Sequence, residues 1–171
     1  MENVATSHSV FVTGLRNAHA MENQALSIIK PQLNRLEHYP EVSELLEGHQ
    51  QETEGQIARL EEILQGIDES PSGLKDAMLS MTGAMGALTH SMAPDEIVKN
   101  SLANFAFENF EIAAYTSLIT AARLSGATDA IPALEQNLEE ERRTAQMIEQ
   151  MLPQITERFI TRQASGVRAD I

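Results

Sequence analysis

Apolar residues recur along most of this chain at steps of three and four, the period of one buried face of an α-helix. The pattern predicts a first helix over residues 7–37, with Pro31 as a kink or offset inside it. His38-Tyr39-Pro40 breaks that run. Pro40 suits the first turn of a second helix over 41–65, where a missing N–H costs nothing. Residues 66–73, around Ser70-Pro71-Ser72, read as a loop. A shorter helix is predicted over 74–89, and a long one from Pro94-Asp95 to Gly126. Thr128 or Asp129 caps the last helix, which carries Pro132 in its first turn and a bend at Pro153. No segment reads as a strand.

Short turns join the first two helices and the last two, which forces two antiparallel hairpins. About thirty residues separate the hairpins, enough to run the length of a bundle. An up-down-up-down bundle needs no such link. The expected fold is therefore all-α: a ferritin-like four-helix bundle of two antiparallel helix hairpins, with a long crossover containing a short extra helix. The bundle is expected over residues 1–165, and 166–171 as a flexible C-terminal tail.

Composition agrees with helices packed on helices. The 171 residues are 42 % hydrophobic, with no Trp and only two Tyr and five Phe. The formal net charge of −13 would repel phosphate, and no basic patch offsets it, so a nucleic-acid partner is not expected. The absence of cysteine excludes disulfides, iron–sulfur clusters, thiolate zinc sites and cysteine nucleophiles, and fits a reducing cytoplasm. No apolar run approaches the ~20 residues of a membrane span, and no secretory pattern opens the chain.

Each long helix interrupts its apolar stripe with an acid near the middle. The first stripe runs Phe11, Leu15, Ala18, Glu22, Ala25, Ile29, Leu33; the second runs Val42, Leu45, His49, Glu52, Gln56, Leu60, Ile63. In the second half, Glu108 and Glu111 interrupt Ile97, Phe105, Ile112, Tyr115, Ile119, and Glu141 interrupts Leu134, Leu138, Ala145, Ile148. A buried, unpaired carboxylate costs several kcal/mol, so four helices repeating the feature need a common cause. Depth supports the same conclusion. Glu22 and Glu52 are centred on position 37, and Glu111 and Glu141 on Gly126, which places each acid about fifteen residues, or ~22 Å, from its turn.

Carboxylates clustered at one level stay ionised only beside cations, and an oxygen-rich cage with an imidazole at its edge suits iron or manganese. The candidate ligands are Glu22, His49, Glu52, Glu108, Glu111 and Glu141 for two metal ions, iron first and manganese second. Di-iron bundles place a Glu on each of two helices and a Glu-x-x-His pair on each of the others. Here the second helix reverses the order as His49-x-x-Glu52, and no His follows Glu141, where Thr144 stands. Glu139 and Glu140 read as exposed, and His19 as bordering the site.

His49-Gln50-Gln51-Glu52-Thr53-Glu54-Gly55-Gln56-Ile57, Glu108-Asn109-Phe110-Glu111-Ile112-Ala113-Ala114-Tyr115, Leu138-Glu139-Glu140-Glu141 and Ala20-Met21-Glu22-Asn23-Gln24 resemble the signature helices of the YciE/YciF-type bacterial ferritin-like family. The resemblance covers about residues 10–155 with the motifs in order. It implies a compact ferritin-like bundle, a homodimer, in a bacterial cytoplasm, associated with stress.

Two functions of different class follow. In one, the cage binds iron and meets oxygen or peroxide, with Glu52 and Glu141 as bridging ligands. In the other, a structural, stress-associated dimer holds metal for stability without turnover. A third, partner binding, would use the methionine stripe Met78, Met81, Met85 of the short extra helix, continued past its end by Met92.

Overall fold

Four long helices make up the computed structural model, which describes residues 2–67 and 95–169: α1 (Glu2–Leu33), α2 (Pro40–Gly66), α3 (Glu96–Ser125) and α4 (Ile131–Ala164). A 3-10 turn, Thr128–Ala130, leads into α4. There is no strand among the described residues. The short helix expected over 74–89, with its methionine stripe, lies outside them. Pro31 and Pro153 both sit inside continuous helix rather than ending one. Gly126 closes α3 at φ 80, a left-handed conformation open to glycine at no steric cost. The Ala127 N–H then bonds to the Ala122 carbonyl at 3.0 Å and turns the chain sharply into α4.

Pairings across the helices fix their directions. Gln32 and Asn104 exchange two amide hydrogen bonds of 3.0 Å, while Glu22 meets Tyr115 farther down, so α1 and α3 run antiparallel. Arg158 pairs with Glu41 and Arg59 with Asn137, which makes α2 and α4 antiparallel as well. α1 also packs on α2, and α3 on α4. The diagonal helices α2 and α3 are consequently parallel, and Ile67 and Asp95 lie at opposite ends of the bundle. That is the ferritin-like wiring expected from the sequence.

Apolar layers close both ends of the interior. Phe11, Leu15, Leu60 and Leu134 fill one end, and Leu46, Ile97 and Ile155 the other, all almost fully buried. Each such side chain contributes about 1.5–3 kcal/mol by leaving water. Between them lies a polar layer containing Glu22, His49, Gln56, Glu108, Glu111 and Glu141, every one buried. Past α4 the chain turns back: Ala169 is buried, and its carbonyl accepts the Tyr39 hydroxyl at 2.6 Å. No helix among the described residues is long and apolar enough to cross a membrane.

Candidate metal centre

The polar layer is where three helices deliver ligand atoms to one point. One atom each from His49, Glu108, Glu111 and Glu141 lies within 4.8 Å of the others. Glu108 and Glu111 are one turn apart on α3, so both face inward. Glu141 stands opposite on α4, and His49 Nε2 on α2 lies 3.1 Å from Glu108 Oε1. Glu22 adds a carboxylate from α1, near enough for the charges of Glu141 and His49 to act on its ionisation.

Burial makes these acids weak. It pushes Glu141 up to about 9, with the charge of Glu108 adding to the effect. Glu108 is pushed up to about 7, again chiefly by burial, although a hydrogen bond with Glu141 works against the rise. Glu111 and Glu22 are raised well above the usual carboxylate range by burial first and the charge of Glu141 second. Desolvation and mutual repulsion both favour the protonated form, and a cation among these groups would reverse that preference.

Five buried carboxylate oxygens here accept nothing from outside the acid cluster: Glu22 Oε2, Glu108 Oε2, both Glu111 oxygens and Glu141 Oε2, while His49 Nε2 faces the Glu108 carboxylate. Folded proteins leave few such atoms unpaired, and a cluster of them in one layer calls for an explanation. Five carboxylate oxygens with one imidazole nitrogen form a donor set suited to iron or manganese. The residues fit a metal.

Neighbouring groups hold the ligands in position. The Tyr115 hydroxyl donates to Glu22 Oε1 at 2.5 Å, which leaves Oε2 facing no other partner. Burial, followed by the charge of Glu22, raises Tyr115 well above its ordinary value, so its hydroxyl stays a donor. Asn137 Nδ2 donates to the same hydroxyl at 2.9 Å, and Arg59 Nε donates to Asn137 Oδ1 at 2.5 Å. Gln56 donates to Glu141 Oε1, and Thr144 Oγ1 lies 3.3 Å from His49 Nδ1. Such outer partners orient ligands and tune affinity. Tyr115→Phe is expected to weaken metal binding about 10- to 100-fold with helicity unchanged, measured by competition against a chromophoric chelator.

Four of the six residues singled out from the sequence, His49, Glu108, Glu111 and Glu141, meet here, Glu22 is buried beside them, and Glu52 is turned away. Its side chain is 29 % exposed and takes Arg143 Nη2 at 2.6 Å. The buried stripe of α2 runs Val42, Leu46, His49, Thr53, Gln56, Leu60, Leu64, so Thr53 occupies the inward position beside it. The level of Glu22 is also displaced. His19 meets Glu61 and Lys30 meets Glu54, which sets Glu22 opposite the region of Leu60, about two turns past Glu52. Glu111 and Glu141, by contrast, meet as their equal distance from Gly126 requires. Glu140 is buried against Arg59 rather than exposed, and only Glu139 of that pair faces solvent. Gln56 already stood on the apolar stripe of the second helix, but an amide there carried no charge to mark it.

Comparison with known proteins places this arrangement. The family model described as a domain of unknown function (DUF892) matches residues 6–161. The protein YciF of Escherichia coli K12 is 29 % identical over 150 residues, covering 83 % of this chain and 87 % of that protein. Among solved structures, a Xanthomonas campestris protein superimposes with a TM-score of 0.78 at 28 % identity, over 93 % of this chain and 99 % of its own. The crystal structure of the E. coli stress protein YciF matches with a TM-score of 0.69 at 26 % identity, over 85 % and 94 % of the two chains.

Proposed function

The chain belongs to the DUF892 family, and on that premise we propose that it is a ferritin-like carboxylate protein binding two iron ions that react with oxygen or peroxide during stress. The observation that carries the reading is the set of five buried carboxylate oxygens with no partner outside the acid cluster, gathered beside the His49 imidazole. Glu22, His49, Glu108, Glu111 and Glu141 are the ligands in this proposal. Bound there, iron would supply electrons to oxygen or peroxide; manganese is the alternative metal.

The chain's own residues define how the site works. Ionised Glu111 and Glu141 neutralise the cations, and the acid-rich set favours the more highly charged oxidised state over the reduced one. Tyr115 and Gln56 each occupy one oxygen of a ligand carboxylate, fixing which oxygen remains for metal. Leu60 and Leu134 on one side and Leu46 on the other exclude bulk water, which strengthens every charge interaction between them. The stress role follows the E. coli relative, itself described as a stress protein. A cytoplasmic homodimer completes the proposal; exposed Leu102, Phe110 and Leu124 on α3 are apolar surface that a second copy would cover.

One observation favours a purely structural metal site instead. Gln56 stands beside Glu141 on α2, where a further carboxylate would add ligand charge, and His49 is the sole imidazole in the group. Mixing the anaerobically iron-loaded protein with oxygen or hydrogen peroxide separates the two. Rapid appearance of ferric absorption with matching oxidant consumption supports redox chemistry. Iron that stays bound and ferrous leaves the structural reading.

A further inference from the structure

We propose that the groove between α2 and α4 is the path by which a divalent cation reaches the cage, with Glu52 its docking carboxylate and Arg143 the counter-charge displaced from it. The inference rests on the metal reading above and extends it to how the site is filled.

A solvent-open cavity of about 440 Å³ lies along these two helices, lined by Glu44, Gly48, His49 and Glu52 from α2 and by Met147 and Met151 from α4. His49 joins it to the cage. The residue is 3 % exposed, its Nε2 lies 3.1 Å from Glu108 Oε1 in the cage, and it is a member of the ligand group. The grooves between α1 and α3 and between α3 and α4 are lined by no cage residue. The backbones of α2 and α4 approach each other least of the four adjacent pairs.

Charge along the groove has a direction. Glu41 at one end is held by Arg158, and Glu44 is exposed. Glu52 lies nearest the cage, about one helical turn from His49 on α2 and lining the same cavity. Among the described residues its ion pair is to Arg143, whose side chain is 51 % exposed. An incoming cation thus meets acids first and must replace one guanidinium before it reaches His49. Glu52 is a way-station in this scheme, which accounts for an acid that sits beside the cage without entering it.

Three substitutions outside the cage separate this proposal from the metal reading. An added Cβ at Gly48 meets no atom within 4 Å, so Gly48→Phe projects a ring into the groove without moving backbone, at a position where replacing glycine favours the helix. Co2+ is the probe, its visible absorption followed after rapid mixing, with the end-point metal content determined by elemental analysis. Gly48→Phe and Glu52→Gln are expected to load at least about fivefold more slowly than wild type, and Arg143→Gln about threefold faster, with the charge effects shrinking at high salt. All three should reach the wild-type end-point. Opposite signs for the two charge variants cannot arise from misfolding. Wild-type rates in all three at full end-point overturn the path. A lowered end-point in Glu52→Gln makes Glu52 a ligand and overturns it too. A wild type that takes up no cobalt overturns the metal reading and the path together.

Discussion

At pH 8, the metal-free Glu111→Gln, Glu141→Gln variant is expected to be several kcal/mol more stable than the wild type and to gain nothing from ferrous iron. The two carboxyls are buried beside one another, and Glu141 keeps its proton until about pH 9. In the unfolded chain the same groups ionise near 4.5, the ordinary value, so at pH 8 folding must carry protons into the core. Each unit of that difference costs about 1.4 kcal/mol. A glutamine amide is nearly the same shape, needs no proton, and brings two donors to a layer where Glu22 Oε2 and Glu108 Oε2 have no partner. Removing both acids also removes the anionic ligands from α3 and α4 that face each other across the layer. Wild type should instead gain about 4 kcal/mol when free iron exceeds its dissociation constant a thousandfold. Anaerobic urea unfolding of both proteins, with and without iron, measures the four values. A variant less stable than wild type without metal, or one that still responds to iron, contradicts this account.

The second large effect is an inverted pH dependence of the metal-free protein. Most proteins lose stability in acid as paired carboxylates take up protons. Here the fold raises the carboxyls Glu22, Glu108, Glu111 and Glu141, chiefly by burial. Between the ordinary value of 4.5 and the raised values, about 7 for Glu108 and about 9 for Glu141, the folded state binds more protons than the unfolded one. Stability is therefore fully present below about 4.5, falls as pH rises through this window, and levels off above the folded values. Metal takes the place of those protons, so the bound protein should show the opposite trend, gaining affinity as pH rises. Melting temperatures recorded from pH 5 to 9 check both slopes; a metal-free protein whose melting temperature rises across that range would exclude the buried-acid layer.

The level at which the acids meet was legible in the sequence for the second hairpin and not for the first. Gly126 marks the turn between α3 and α4 unambiguously, because its left-handed cap ends one helix and leaves two residues before the next turn begins. Equal spacing from it then places Glu111 and Glu141 face to face. The first turn has no such marker. The N–H groups of Arg35 and Leu36 still bond back to the Gln32 carbonyl, so the α1 side of the turn is longer than its α2 side and the midpoint shifts. α2 adds a second ambiguity. Leu45 and Leu46 are both apolar, as are Ile63 and Leu64, so a stripe can be drawn through either member of each pair. The structure buries Leu46 and Leu64 and leaves Leu45 and Ile63 at the edge. That small rotation turns Thr53 inward and Glu52 toward Arg143. Glu140 was hidden for a different reason: its burial depends on Arg59 arriving from another helix, which no periodicity along α4 records.

The most direct test of the account is an anaerobic ferrous titration of metal-free wild-type protein, with iron bound per chain determined by elemental analysis and proton release followed at the same time. Two irons per chain, bound with release of protons from the buried carboxyls, is the expected result. A chain that retains no iron would contradict it, leaving four weak acids buried in the middle of a helical bundle for some purpose other than metal.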